Sequence, residues 1–198
     1  MNKQKSKIIQ NILHKSSVGI AGLGGLGSNA AIALARAGIG RLVLVDFDIV
    51  EKSNINRQYY FLDQIGFKKI HALKENISKV NPDVFVEVHD KELKKGSMDN
   101  FFKNVDVVIE ALDNAEIKTA FIEEIMIKHP DKPVIGASGV AGFGYSDNIR
   151  TIKSGNLYIV YDEDAKSSED DILTAPKVCL MANWEANLAL EIILGEKL

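Results

Sequence analysis

The stretch that decides the fold is Val18-Gly19-Ile20-Ala21-Gly22-Leu23-Gly24-Gly25-Leu26-Gly27-Ser28-Asn29. A short apolar run ends in glycines, and an alanine-rich, helix-forming stretch follows. Gly22, Gly24 and Gly27 match the G-x-G-x-x-G pattern, with Gly25 inside it, between a predicted strand and a predicted helix. The lack of Cβ atoms lets backbone N–H groups approach a phosphate, and the helix N-terminus adds partial positive charge. Downstream, Arg41-Leu-Val-Leu-Val-Asp46 reads as a second strand, apolar without alternation, as in a parallel sheet covered on both faces. Asp46 stands at its end, where a carboxylate accepts hydrogen bonds from ribose hydroxyls.

Outward from this unit the pattern repeats. Lys68–Val80 reads as a helix stopped by Asn81-Pro82. Val84–His89 reads as a strand, Met98–Asn104 as a short helix and Val105–Ile109 as a strand. Asn114–His129 reads as a helix and Val134–Ala137 as a fifth strand. Ser146–Lys153 and Asn156–Tyr161 then predict an antiparallel pair around Ser154-Gly155. The expectation is one α/β domain over 1–198: a Rossmann-like, doubly wound, mostly parallel sheet extended by an antiparallel hairpin. A leading helix over 3–14 precedes it. An acidic loop over about 162–175 and a last helix over about 177–194, with Trp184 among its buried positions, follow it.

The composition narrows the function. The chain has 198 residues, 46% of them hydrophobic, and a formal net charge of -3. That balance carries no sign of nucleic-acid binding. The single cysteine, Cys179, excludes an intrachain disulfide and a four-cysteine zinc site, and reads as a buried structural residue. The uncharged run 16–35 holds five glycines and splits into a strand-like and a helix-like half, so it does not read as a membrane span. The expectation is a soluble, cytoplasmic protein without zinc.

The connection after Asp46 argues for a nucleotide with more phosphates than NAD has, although an NAD-dependent oxidoreductase would share the glycine loop. It carries Asp48, Ser53, Asn54, Asn56, Arg57 and Gln58. A guanidinium fork suits phosphate oxygens, and Lys68 and Lys69 open the next helix as further cations. Asp113 lies at a strand's carboxyl end, beside Asn114. A carboxylate facing a triphosphate needs a cation between them, which Mg²⁺ supplies; an N-cap role for Asp113 is the structural alternative. Glu110 and Asp48 are further candidate ligands.

These residues together resemble the ThiF/MoeB/HesA family, bacterial relatives of ubiquitin-activating enzymes. The resemblance rests on Gly22–Gly27, Asp46-Phe-Asp48, Ser53-Asn-Ile-Asn-Arg57-Gln58, Gly66-Phe-Lys-Lys69 and Leu112-Asp113-Asn114, and is nearest to the short ThiF type. It implies Mg-ATP-dependent adenylation of the C-terminal Gly-Gly carboxylate of a ubiquitin-like sulfur carrier, such as a ThiS-like protein of thiamine biosynthesis. The same chemistry on a carrier for molybdopterin, cysteine or tRNA thiolation fits the motifs equally. By resemblance, Asp46 holds the ribose, while Asn54, Arg57 and Lys69 hold the phosphates. Asp113 binds Mg²⁺, the acidic loop guides the carrier tail, and the chain is a homodimer. Many relatives use a leading-helix arginine from the partner subunit, whereas residues 1–35 here contain none.

Overall fold

The structure, a computed structural model, describes residues 3–144, 146–165 and 171–195. Seven strands form one sheet in the order β3-β2-β1-β4-β5-β7-β6. The strands are β1 (Ser17–Ala21), β2 (Arg41–Asp46), β3 (Phe85–Asp90), β4 (Val107–Glu110), β5 (Val134–Ser138), β6 (Ile149–Ser154) and β7 (Leu157–Asp162). The helices are α1 (Lys3–His14), α2 (Gly25–Ala37), α3 (Lys69–Val80), α4 (Ala115–Lys128) and α5 (Ala175–Gly195). All pairings are parallel except β6 with β7. The second strand of the hairpin, β7, lies beside β5, so β6 becomes the outer edge.

The apolar runs explain the layers. Every residue of β1 and β4 is buried, as expected of strands covered on both faces. Ala30, Ala31 and Ala35 are fully buried on α2, and their small side chains let α5 pack closely against it. On the opposite face Phe102 and Phe121 meet edge-to-face at 5.3 Å beneath α4. α5 is long and apolar enough to cross a bilayer, yet Val178, Met181, Ala182, Ala189 and Ile193 are buried within the protein.

Several boundaries differ from the sequence reading. α2 starts at Gly25, inside the glycine loop, and the expected short helix after β3 is a 3₁₀ turn over Met98–Phe101. Trp184 is only half-buried, its indole N–H donating to Thr151 Oγ1 at 3.0 Å, while Glu185 beside it is fully buried. The centre of the acidic loop, 166–170, lies outside the described residues. At its start, Asp162 is not a free steering charge: it is buried and ion-paired with the buried Lys177.

Away from the cleft, buried Asp99 accepts from Lys128 Nζ at 2.7 Å and faces His129 Nε2 at 3.2 Å. Burial alone would raise its carboxyl, but these bonds outweigh it and hold it at about 2. A folded-state value below the unfolded one stabilises above the unfolded value and loses that stabilisation as pH falls. Asp99→Asn is therefore expected to cost about 2 kcal/mol near neutrality. The gap from wild type should close between about pH 4 and pH 2, as read by urea unfolding at stepped pH.

Candidate functional site: a cleft over the strand ends

The carboxyl ends of β1, β2, β4 and β5 open onto a cleft of about 720 Å³. The sheet runs outward in both directions from the β1–β4 pair, which is where open α/β sheets bind ligands. Gly22 adopts φ +87°, and a Cβ on it would lie 2.7 Å from the Ala111 carbonyl oxygen. Gly25 abuts Val178 of α5, and Gly27 packs against Gly22 itself. Gly24 differs: among the described residues the only atom near its missing Cβ is Gln58 Nε2 at 3.8 Å, and the residue lines the cleft.

Asp46 is the brace of this loop. Its Oδ2 accepts the Leu23 N–H at 2.6 Å and its Oδ1 accepts the Asp48 N–H at 2.7 Å. Burial pushes its carboxyl up, against the pull of those N–H groups and of Lys69. Tyr60 donates to the Leu23 carbonyl at 2.8 Å, and burial beside Asp46 and Asp48 drives its phenol well up. Each Asp46 oxygen keeps a further lone pair, so the carboxylate can still accept from a ribose.

The connection 47–68 folds through 3₁₀ turns at Lys52–Asn54 and Leu62–Gln64. These turns decide which polar groups reach the cleft. Arg57 and Gln58 line it; Ser53, Asn54, Asn56 and Gly27 do not. Asn54 is buried, and its Oδ1 caps the Glu51 N–H at 3.0 Å. Asn56 is exposed, and its Oδ1 accepts from Arg57 Nη1 at 2.9 Å. Gln58 Oε1 is buried with no partner among the described residues.

Lys69 is buried and reaches Asp48 Oδ2 at 2.7 Å, inside the cleft. Lys68 turns away, donating to the Phe47 carbonyl at 2.7 Å and pairing with Asp90 at 3.1 Å. Asp113 is exposed on the cleft wall and makes no hydrogen bond or ion pair among the described residues. The N-cap of α4 is Asn114, whose Oδ1 accepts from the Glu116 and Ile117 N–H groups at 3.0 Å. The cap alternative for Asp113 is thereby overturned, and its carboxylate stays available.

Sequence reasoning passed over three groups here. Lys91 and Lys118 line the cleft, and Glu185 is fully buried on α5 with neither carboxyl oxygen partnered among the described residues. Burial drives Glu185 well up, with Lys118 opposing and Glu110 adding. Lys118 was legible only as the residue one helical turn after Asn114. Cys179 is half-buried rather than fully buried; its Sγ lies 3.5 Å from Asn29 Oδ1, and burial raises its thiol, which disfavours the nucleophilic thiolate.

The model of the ThiF family matches residues 3–198, a span that includes the glycine loop, Asp46 and the following connection. The chain belongs to the ThiF family. This ThiF-family chain is 35% identical over 156 residues to ubiquitin-like modifier-activating enzyme 5 of Caenorhabditis elegans, across 72% of its own length. The Dictyostelium discoideum enzyme 5 is 40% identical over 136 residues, across 61% of this chain. The chain spans about a third of the length of these relatives, 36% and 35%. Its fold is similar to that of Escherichia coli tRNA N6-threonylcarbamoyladenosine dehydratase, TcdA, solved in complex with ATP. The TM-score is 0.88 at 22% identity, over 98% of this chain and 92% of that one. E. coli MccB solved with ATP is similar at a TM-score of 0.74 and 22% identity, over 94% of this chain and 58% of that one.

Proposed function

We propose that this chain adenylates a carboxylate with ATP, and that the carboxylate is the C-terminal glycine of a ubiquitin-like sulfur carrier. The observation that carries the reading is Lys69 buried in the cleft with Arg57 lining it beside Gly25 of the glycine loop. Two cations there serve a phosphate chain, and a flat apolar slot for nicotinamide is not what Arg57, Gln58, Asp48 and Lys69 make. The unpartnered Gln58 oxygen fits the nucleotide as well, as an acceptor for a hydroxyl or amine. Support for a protein acceptor comes from the activating enzymes to which the chain is similar. Support for a ThiS-like carrier and for thiamine biosynthesis comes from the resemblance of the motifs to the short ThiF type.

Asp113 and the phosphates would serve as the ligands of a magnesium ion. Among the described residues no group of three or more His, Cys, Asp or Glu surrounds a metal position. One carboxylate plus substrate phosphates is the ordinary way Mg²⁺ is held, and when bound it neutralises phosphate charge. The acceptor carboxylate is already ionised at neutral pH, so no general base is required. Its oxygen attacks the α-phosphorus, the bond to the bridging oxygen breaks, and that electron pair leaves with pyrophosphate. Arg57 and Lys69 place cations where negative charge grows. A homodimer belongs to the same proposal, with Phe61, Leu62 and Phe67 exposed along the connection as apolar surface for it.

The test is calorimetric titration with Mg-ATP and with NAD, followed by ATP–pyrophosphate exchange with ThiS-like carriers. Mg-ATP binding and carrier-stimulated exchange are expected. Lys69→Ala should lose at least about 100-fold in exchange rate, the scale of removing a transition-state donor, while Lys68→Ala stays within a few-fold. NAD binding without ATP binding would sink the reading, and exchange stimulated only by tRNA would replace the carrier as acceptor.

A further inference from the structure

Among the described residues four cationic ones line the cleft, and they divide by position. Arg57 and Lys69 stand beside the glycine loop, and Lys91 follows β3. Among the described residues Lys118 alone lies on the β5 side, with Ala137, Ser138 and Gly139. It projects from the first turns of α4 and bridges two strand ends. Its ammonium donates to Glu110 Oε2 at the end of β4 and to the Ala137 carbonyl, 3.2 Å away, in β5. Glu110 is completely buried, and its other oxygen accepts the Leu112 N–H at 2.7 Å.

A lysine ammonium has three donors, and two are used here. The side chain keeps 25% of its surface accessible, and that surface borders the cleft. Glu185, buried on α5, makes no hydrogen bond to it, and the ion pair of Lys118 is with Glu110. Lys118 is therefore not drawn into a second ion pair behind the sheet. The adjoining wall, Ala137 to Ala141, consists of small residues and Val140, so a narrow chain can lie along it.

We propose that the Lys118 ammonium forms a carboxylate-binding subsite at the β5 side of the cleft, which receives the acceptor's terminal carboxylate before it reacts. This rests on the adenylation reading for its place in a reaction, but the subsite itself is a property of Lys118, Glu110 and the Ala137 carbonyl. Two fixed partners hold the ammonium in place, so little ordering remains when the third donor meets the carboxylate. That bond is charge-assisted and carries discrimination between a free acid and an amide.

The probe is a synthetic heptapeptide ending in Gly-Gly, as free acid and as C-terminal amide, titrated by calorimetry into the protein with and without Mg-ATP. The acid is expected to bind at least about tenfold more tightly than the amide, the scale of one hydrogen bond to a charged group. Lys118→Met should remove that difference while Mg-ATP affinity stays within about twofold, and Lys118→Arg should restore part of it. Lys118→Met leaves Glu110 buried without its partner, so the same substitution is also made in a Glu110→Gln background to keep the fold. Equal binding of acid and amide, no binding of either, or an acid preference that survives Lys118→Met overturns the proposal. A wild-type protein that prefers the acid through Lys118 yet binds no ATP would sink the adenylation reading and leave the subsite standing.

Discussion

Gly27→Ala is expected to destabilise the protein by about 3 kcal/mol and to abolish ATP binding with it. The added Cβ would sit 2.0 Å from the Gly22 carbonyl oxygen and 3.1 Å from Ile20 Cγ2. Neither neighbour can give way. Gly22 is held at φ +87° by a turn whose own missing Cβ lies 2.7 Å from the Ala111 carbonyl, and Ile20 is fully buried. Relieving the clash means moving the start of α2 away from β1, and with it the Leu23 N–H that Asp46 accepts at 2.6 Å. For a chain of this length the loss is about 6–12 °C in melting temperature. Gly24→Ala makes the contrast. Among the described residues its Cβ meets nothing closer than Gln58 Nε2 at 3.8 Å, so the fold should keep its melting temperature. The methyl then occupies the space where backbone meets phosphate, and Mg-ATP affinity should fall at least about tenfold. Thermal unfolding and calorimetry on the two variants separate a packing glycine from a ligand-facing one. An unchanged affinity in Gly24→Ala would mean that no phosphate approaches there.

Asp113→Asn is expected to lower the ATP–pyrophosphate exchange rate at least about 100-fold with no loss of stability. The side chain is exposed at the cleft and has no partner among the described residues, so nothing in the fold depends on its charge. The amide keeps the shape and removes the charge that a magnesium ion needs. Asn114→Ala should do the reverse in kind. It removes the acceptor for the Glu116 and Ile117 N–H groups, at a cost of about 1 kcal/mol. Exchange measured with rising Mg²⁺ is the sharper check: the Asp113→Asn defect should shrink as the ion is raised, and the Asn114→Ala protein should show no such dependence. A folded, fully active Asp113→Asn protein would remove the metal role.

The local sequence determined the elements, because each has a period or a terminator of its own. The unalternating runs 41–46 and 105–109 announce strands buried on both faces. Glycines at 38 and 40, and Asn81-Pro82, stop helices whatever surrounds them. The glycine loop was legible for the same reason: Gly22 and Gly27 answer contacts within a few residues or at a neighbouring strand's end. Asp46 was legible from its position at a strand end. The connection 47–68 was not legible residue by residue. It has no period, and its 3₁₀ turns send Arg57 and Gln58 into the cleft while Asn54 goes to cap Glu51. Asp162, Lys118 and Glu185 lay further out of reach. Asp162 looks like one acid among many until Lys177, fifteen residues on, buries with it. Lys118 looks like an ordinary helix-surface cation until β4 and β5 bring Glu110 and the Ala137 carbonyl to it. Glu185 looks solvated until α2 and the sheet close over α5. A charge's state depends on what desolvates and pairs it, and those partners meet only when distant segments pack together.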